Sequence, residues 1–356
     1  MRRIFLLTLL GSLLAAQSRD DVQPPPPIRV TTNLVVAPVT VFDRSGSYVN
    51  NIQPEQFHLY DNDKEQNIKV DVAYQPISIV IAIQANSHVE SILPQVQKVG
   101  GLISPLLIGD QGEAAVLAYD SRIRKLQDFT SDSDKITKAV KSIIPGSSSN
   151  RMIDAVVEAS RMLDSRPSNR RRILLLIGET RDLASEARAR EALIGLQLAN
   201  IVFYSVDMSR FLSTLMAPAM PPRPDQQPAA SRPLPGGNAS TPTSVAQAYG
   251  LNGNRAEFMP LMVELFKDAK AIFKDNPVEL FTKGTGGSEY SFYKQKGLEE
   301  AIQKIGEELH SQYLISYNPS DKEEGGFHQI AVAVTGRTDV AKIVTRPGYW
   351  LAAKFN

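Results

Sequence analysis

A nearly unbroken apolar run at residues 77–88 constrains the fold of this chain more than any other feature. It reads Ile-Ser-Ile-Val-Ile-Ala-Ile-Gln and then breaks into small polar residues that end at His88. Such a run is typical of a central parallel strand covered on both faces, and its polar tip marks the carboxyl end of that strand. Ligands of open α/β sheets bind at this end, so residues 84–88 are the first candidates for a functional site.

Strand-like and helix-like apolar periods alternate after this run, which indicates a doubly wound, mostly parallel α/β sheet. We predict further strands at residues 113–119, 123–129, 172–177, 201–207 and 289–293. We predict helices at residues 89–107, 132–143, 150–163, 185–198 and 298–309. The turn between residues 119 and 123 is too short for a crossover, so these two strands should be antiparallel. Pro94 and the Gly100-Gly101 pair should kink or split the first helix, and Asn150 should cap the third.

Both ends of the chain carry the period of two that half-buried strands show. At the amino-terminal end we predict strands at residues 30–42, 57–59 and 68–72, the last two forming a hairpin around the polar turn 61–64. At the other end we predict strands at residues 313–317, 330–334 and 340–345. Because the two ends match in character, we expect one small antiparallel β-sandwich formed by residues 28–75 and 313–350. The α/β domain, residues 76–312, would be inserted in it.

Residues 212–256 interrupt the α/β alternation with many Pro, Ala, Ser, Gly and Gln residues. Such a segment cannot bury enough apolar surface to fold, so we predict a disordered insertion.

The first sixteen residues have the features of an export signal. Met1-Arg2-Arg3 precedes a short apolar run that ends in Ala15-Ala16, which predicts a signal peptide at residues 1–16, followed by a Pro-rich spacer at 17–27. The run is too short for a spanning helix, so we expect no transmembrane span after cleavage, although an uncleaved anchor stays open. The chain has no cysteine and therefore no disulfides. A secreted or periplasmic bacterial protein fits best.

Four short motifs resemble those of a known family. They are Val-Phe-Asp-Arg-Ser-Gly at residues 41–46, Phe-His-Leu-Tyr-Asp at 57–61, Gln-Tyr-Leu-Ile-Ser-Tyr-Asn-Pro at 312–319 and Arg-Pro-Gly-Tyr at 346–349. With these motifs, residues 39–349 resemble von Willebrand factor type A domain proteins, specifically the VWFA-related proteins described from Acidobacteria. The resemblance implies a type A domain for the α/β part.

Type A domains usually hold a magnesium ion in a metal-ion-dependent adhesion site built from Asp-x-Ser-x-Ser, a Thr and a further Asp. Matching by strand position places this chain's Gln84, Asn86, His88, Asn150 and Ile177 there, and none is the family's residue. Magnesium prefers carboxylate oxygen, so we predict a degenerate site with no metal and no cofactor. Ser87, Glu179 and Asp182 are possible nearby contributors, and a metal site rebuilt from Glu179 and Asp182 remains an alternative.

Composition and motifs also limit the function. Thirty-nine basic and thirty-eight acidic residues nearly cancel, which argues against nucleic-acid binding. The chain has four histidines, no cysteine nucleophile and no hydrolase or phosphate-binding motif, so we predict that it is not an enzyme. The predicted function is a secreted, non-enzymatic protein-binding module with an unidentified protein or cell-envelope partner. The alternatives are a metal-dependent adhesin with unusual ligands and, third, a cell-envelope hydrolase.

Overall fold

A computed structural model describes residues 34–71, 75–209, 211–212, 276–292, 295–320 and 326–351. The predicted signal peptide, the Pro-rich spacer and all of the predicted insertion except Leu212 lie outside the described residues. Among the described helices, none has the length and apolar character needed to cross a membrane.

A six-stranded sheet forms the centre of the molecule. Its strands, in spatial order, are β10 (Glu289–Ser291), β9 (Ile201–Asp207), β8 (Arg171–Gly178), β5 (Ile77–Gln84), β6 (Glu113–Tyr119) and β7 (Ile123–Thr130). All neighbours pair in parallel except β6 and β7, which are antiparallel as the short turn predicts. Every residue of β5 is buried, as expected for a central strand with both faces covered. The prediction of a mostly parallel sheet is confirmed.

Helices cover both faces of this sheet. Among the described residues, the α-helices between β5 and β10 are α1 (Leu93–Ile103), α2 (Ser133–Lys141), α3 (Met152–Asp164), α4 (Ala189–Leu198) and α5 (Pro277–Thr285), and α6 (Gln295–Ser311) follows β10. The buried apolar residues of α1, α2 and α6 pack on one face of the sheet, and those of α3, α4 and α5 pack on the other. The alternation of side chains along a strand therefore decides which of the two cores each strand residue enters.

The first helix differs from its prediction. It begins at Leu93, so Pro94 lies in the first turn, where a missing N–H breaks no helical hydrogen bond. The helix runs without a break through the two glycines and continues as a π-helical turn at Ser104–Ile108. Gly100 lies against α2, where an added Cβ would be 3.1 Å from Val140 Cβ. The glycine therefore permits a close approach between helices and does not kink α1.

Two four-stranded antiparallel sheets contain strands from both ends of the chain. The first sheet has the order β13 (Lys342–Thr345), β1 (Val35–Phe42), β11 (Tyr313–Tyr317) and β4 (Ile68–Asp71). The second has the order β14 (Gly348–Leu351), β12 (Gly326–Val334), β2 (Phe57–Asp61) and β3 (Lys64–Glu65). Their buried apolar residues form a single cluster. The antiparallel β-structure is confirmed, whereas the domain boundaries at residues 75 and 312 stay a prediction.

The predicted hairpin is shorter in the structure than in the sequence interpretation. Asn62 and Asp63 have φ values of 47° and 65°, so a tight two-residue turn joins β2 to β3. The next strand, β4, pairs with β11 in the other sheet instead of closing the hairpin. The period of two marks β4 as a strand, but it carries no information about which sheet the strand joins. The last strand, β14, was not predicted.

Side chains near the carboxyl end of α4 connect the α/β part to the antiparallel sheets. Asn200 Oδ1 accepts from Val36 N at 3.1 Å, and Asn200 Nδ2 donates to Leu34 O at 2.9 Å. Gln197, which is buried, donates through Nε2 to Gly284 O at 2.7 Å and to Gly348 O at 3.3 Å. These bonds join the helix layer of the parallel sheet to strands of both antiparallel sheets.

Candidate functional site

The loops that follow β5, β6 and β8, together with the loop before α3, meet at the carboxyl ends of the parallel strands, which we call the upper edge. Backbone hydrogen bonds hold them together: Ser87 N donates to Ser147 O at 3.0 Å, and Gly146 N donates to Ala85 O at 2.7 Å. The loop after β8 is joined to the loop before α3 by Leu183 N, which donates to Asn150 O at 3.1 Å. The structure thus brings together the three segments that contain most of the predicted site residues.

Gln84, the last residue of β5, is fully buried and joins the ends of β5 and β8. Its Oε1 accepts from Glu179 N at 2.7 Å, which fixes the orientation of the amide because a backbone N–H must face an acceptor. The Nε2 group then donates to Asn86 Oδ1 at 3.0 Å and to Glu179 Oε2 at 2.7 Å. An N–H₂ group therefore bridges two oxygen atoms at a residue that the resemblance assigns to the metal ligands.

The next three residues of the predicted site differ in exposure. Asn86 is fully buried, and its Nδ2 donates to Ser148 O at 3.5 Å. Ser87 and His88 are exposed on a short 3-10 turn, Ser87–Val89. Only Asn86 of these three is part of the buried hydrogen-bond network, while Ser87 and His88 are accessible to a partner.

Ile177 lies in the apolar core and not at the surface of the upper edge. It pairs in register with Ile83, and both side chains belong to the cluster on the side of α1 and α6. Because side chains alternate along a strand, the residue next to Gln84 on the other face is Gly178. Strand matching found the correct strand but not the residue that meets Gln84.

Tyr119, at the end of β6, was not among the predicted site residues. It is fully buried, and its hydroxyl has no hydrogen-bond partner among the described residues. An added Cβ at Gly178 would clash with this hydroxyl and lie 2.9 Å from Gln84 Oε1, so Tyr119 reaches across to β8. Burial raises the pKa of the Tyr119 hydroxyl well above its usual value, and the charges of Glu179 and Asp182 raise it further. A sequence signal existed, because Tyr119 is the last residue of the predicted strand at residues 113–119, just as Gln84 ends the apolar run.

Asn150 does not cap α3, in contrast to its prediction. Arg151 occupies the N-cap position, and Asn150, only 1% exposed, donates through Nδ2 to Arg181 O at 2.8 Å. Its Oδ1 is buried without a partner among the residues that the structure describes. The capping role passes to Asp182, whose Oδ1 accepts from Ile153 N at 3.0 Å and from Ser185 Oγ at 2.6 Å.

The oxygen atoms available at the upper edge do not fit the ligand set of a magnesium ion. Magnesium requires several oxygen ligands in octahedral geometry, but the Gln84 oxygen and both Asp182 oxygens accept protein N–H or O–H groups, and Asn86 Oδ1 accepts from Gln84. Within the described ranges, no group of three or more His, Asp or Glu side chains could hold a metal ion. Glu179 and Asp182 have different roles, one bonded to Gln84 and the other to the start of α3.

Two large apolar side chains are exposed on the loops of the upper edge. Ile144 is 64% exposed in the segment before Gly146, and Leu183 is 61% exposed in the segment after β8. Leu34 and Leu198 are also strongly exposed, but Leu198 ends α4 next to Asn200, at the opposite end of the parallel strands.

No protein-family model matches the chain, and no curated protein matches it. Solved structures with some likeness include the conserved hypothetical protein BatB from Bacteroides thetaiotaomicron, at 17% identity and a TM-score of 0.32, covering 37% of this chain and 66% of that one. An aerotolerance-related membrane protein from Bacteroides fragilis NCTC 9343 shows 14% identity and a TM-score of 0.31, covering 37% and 67%. The vWF domain of the type V pili tip protein Mfa5 from Porphyromonas gingivalis shows 15% identity and a TM-score of 0.27, covering 31% and 40%. Since these scores are low, the fold description rests on strand order and register.

Proposed function

We propose that this chain is a secreted, non-enzymatic protein-binding module with a type A domain, and that it binds its partner at the upper edge without a metal ion. The strand order of the parallel sheet, with β7 antiparallel at one edge, supports the type A interpretation together with the sequence motifs. The amide bridge of Gln84 supports metal-independent binding, because its oxygen already accepts from Glu179 N and its N–H₂ group already donates to Asn86 and Glu179.

The exposure of Ile144 and Leu183 carries the proposal. Exposing a large apolar side chain to water costs free energy, and covering that side chain with a partner is favourable. The loop of Leu183 is held in place by its backbone bond to Asn150, and residues 144–146 are held by the bond from Gly146 to Ala85. Both side chains are therefore presented from fixed loops on the same edge of the sheet, as expected for a binding surface.

The experiment compares a double variant of these residues with a matched control. Ile144→Ser with Leu183→Ser should weaken binding of a purified envelope partner by about tenfold or more, since burial of each side chain contributes about 1.5–3 kcal/mol. The partner is first captured from the exported fraction on the immobilised chain in the presence of EDTA, and its affinity is then measured by titration. Leu198→Ser removes an equally exposed leucine from the opposite end of the sheet and should leave the affinity unchanged.

Two results would contradict the proposal. If the double variant binds as tightly as the native chain, the binding surface lies elsewhere. If capture occurs only when magnesium is added, the alternative of a metal-dependent adhesin is correct. The third possibility, a cell-envelope hydrolase, has no supporting observation in the described part of the chain.

A further inference from the structure

We propose that the partner segment that covers Ile144 is acidic, and that Arg122, Lys138 and Lys141 bind its aspartate or glutamate side chains. We call these three residues the basic patch. The inference rests on the proposed function and adds the chemistry of the partner to it. The partner segment carries at least one carboxylate next to an apolar residue that packs on Ile144.

The fold brings the basic patch to the part of the upper edge that presents Ile144. Strand β7 is antiparallel to β6, so it begins at the upper edge, and Arg122 directly precedes it. Lys141 is the last residue of α2 and precedes Ile144 by three positions. Lys138 lies one helical turn earlier and is exposed like Lys141, so the two side chains are neighbours on the helix surface. Ile144 therefore has cations both along the chain, from α2, and beside it, from the turn before β7.

Hydrogen bonds hold Ile144 in place next to these cations. Arg124 Nη2 donates to Ile144 O at 3.3 Å, which joins the start of β7 to the segment after α2. Ser121 N donates to Ser147 Oγ at 3.2 Å, so the turn that contains Arg122 is bonded to the same segment. The apolar side chain and the basic patch are thus presented together, and a partner meets them without a rearrangement of the loops.

The cations of the basic patch are exposed, and they form no ion pair with any residue that the structure describes. Lys135 on the same helix differs, because its Nζ lies 3.3 Å from Asp132 Oδ2. The carboxylate of Asp120, two positions before Arg122, is buried and lies 3.5 Å from Arg124. Positive charge therefore remains available at this part of the upper edge, and the complementary surface of a partner is acidic.

A protein segment fits this surface better than an anionic membrane does. Glu90, on the turn after β5, and Glu186, on the loop after β8, are exposed at the same upper edge. A flat layer of lipid phosphates would meet these carboxylates together with the basic patch, and like charges oppose binding. A single peptide segment can lie on the basic patch and Ile144 alone.

A displayed library of random peptides, selected on the full chain in EDTA and then synthesised, tests this inference. The selected peptides should contain aspartate or glutamate next to an apolar residue. Lys138→Gln with Lys141→Gln should weaken their binding about threefold to tenfold, because each exposed ion pair adds a modest amount of affinity. Lys98→Gln with Lys304→Gln removes two exposed lysines from α1 and α6 and should leave the affinity unchanged.

Charge reversal and salt identify the contact itself. A selected peptide whose acidic residue is replaced by lysine should lose affinity for the native chain and regain part of it on a Lys138→Glu, Lys141→Glu variant. Raising the salt concentration from about 0.05 M to about 0.5 M should weaken binding to the native chain more than binding to the Lys138→Gln, Lys141→Gln variant, because salt screens exposed charges.

The outcomes separate this inference from the proposed function. A library that yields no acidic peptides, or acidic peptides that bind the Lys138→Gln, Lys141→Gln variant as tightly as the native chain, would overturn the acidic-partner inference. If the selected peptides still lose affinity for the Ile144→Ser, Leu183→Ser variant, the proposed function stands. Peptides insensitive to both double variants would overturn both. Binding of the full chain to phosphatidylglycerol vesicles, lost in the Lys138→Gln, Lys141→Gln variant, would overturn the choice of a protein segment in favour of a membrane.

Discussion

The amide of Gln84 holds the upper edge together through hydrogen bonds alone. One neutral side chain bonds a backbone N–H, an amide oxygen and a carboxylate oxygen, and so connects the ends of β5 and β8. Hydrogen bonds to a charged acceptor are stronger than those between neutral groups, so the bond to Glu179 contributes most. The bridge requires that nothing projects from Gly178 between Gln84 and Tyr119.

Gly178 is therefore the residue at which the smallest change should have a large effect. Gly178→Ala adds a Cβ that clashes with the Tyr119 hydroxyl and lies 2.9 Å from Gln84 Oε1. We expect the free energy of unfolding to fall by about 1–3 kcal/mol, as in other overpacked cores. Denaturant titration measures it. Adding Tyr119→Phe to this variant should recover part of the loss, because it removes the atom that the new Cβ meets.

Gly101→Ala is the matched control for this substitution. An added Cβ there has nothing within 4 Å, and alanine favours the helix by about 1 kcal/mol over glycine. This variant should be as stable as the native chain or more stable. Equal stability of the Gly178 and Gly101 variants would show that Tyr119 does not pack against β8 as described.

At the level of elements, apolar periodicity predicts most of the strands and helices but not their partners. The run at Ile77–Gln84 is a central strand because Ser78 is the one polar residue on its two covered faces before Gln84. The pairing of β4 with β11 is set by sheet packing across the chain, which a local pattern does not contain. The same limit applies at the candidate site, where strand matching reached Ile177 while the residue that meets Gln84 is Gly178.

Asp182 shows how a loop after one strand stabilises the start of a different helix. Its carboxylate accepts from Ile153 N in the first turn of α3 and from Ser185 Oγ in its own loop. The sequence predicts Asn150 as the cap because Asn150 directly precedes the apolar pattern of the helix. A capping side chain from a distant loop cannot be identified from local spacing.

Asp182→Ala should lower the free energy of unfolding by about 1–2 kcal/mol, the usual effect of losing a helix cap. Asp182→Asn keeps an acceptor for Ile153 N and should lose less. Thermal unfolding of both variants measures the difference. If the alanine variant is unchanged while binding to metal ions disappears, Asp182 is a metal ligand and not a cap.

At the scale of the whole molecule, buried tyrosines are a common feature of the α/β part and the antiparallel sheets. Tyr119 and Tyr204 are fully buried around the parallel sheet, and Tyr204 donates to the buried Glu308 at 3.2 Å. Tyr317 and Tyr349 lie in the antiparallel sheets, where both donate to Asp61, at 3.0 Å and 2.7 Å. Desolvation is the main cause that raises the pKa of each of these four hydroxyls, and neighbouring carboxylates raise it further.

These shifts predict that the protein loses stability above about pH 10, the ordinary pKa of tyrosine. In the folded state the hydroxyls keep their protons, whereas in the unfolded state they ionise, so the folded state binds more protons and stability falls as pH rises. Each protected tyrosine contributes a slope of about 1.4 kcal/mol per pH unit. Arg346 has the opposite effect on stability, because burial lowers its pKa to about 10. It is one arginine against the four tyrosines named above.

Urea unfolding at a series of pH values between about 8 and 11, followed by tyrosinate absorbance, measures this slope. The free energy of unfolding should be nearly constant up to about pH 9.5 and then fall, with tyrosinate forming together with unfolding and not before it. Tyr119→Phe removes one protected group and should reduce the slope by about 1.4 kcal/mol per pH unit. Tyrosinate that forms in the folded protein near pH 10, with no loss of stability, would contradict the burial of these hydroxyls, because each would then titrate as in water.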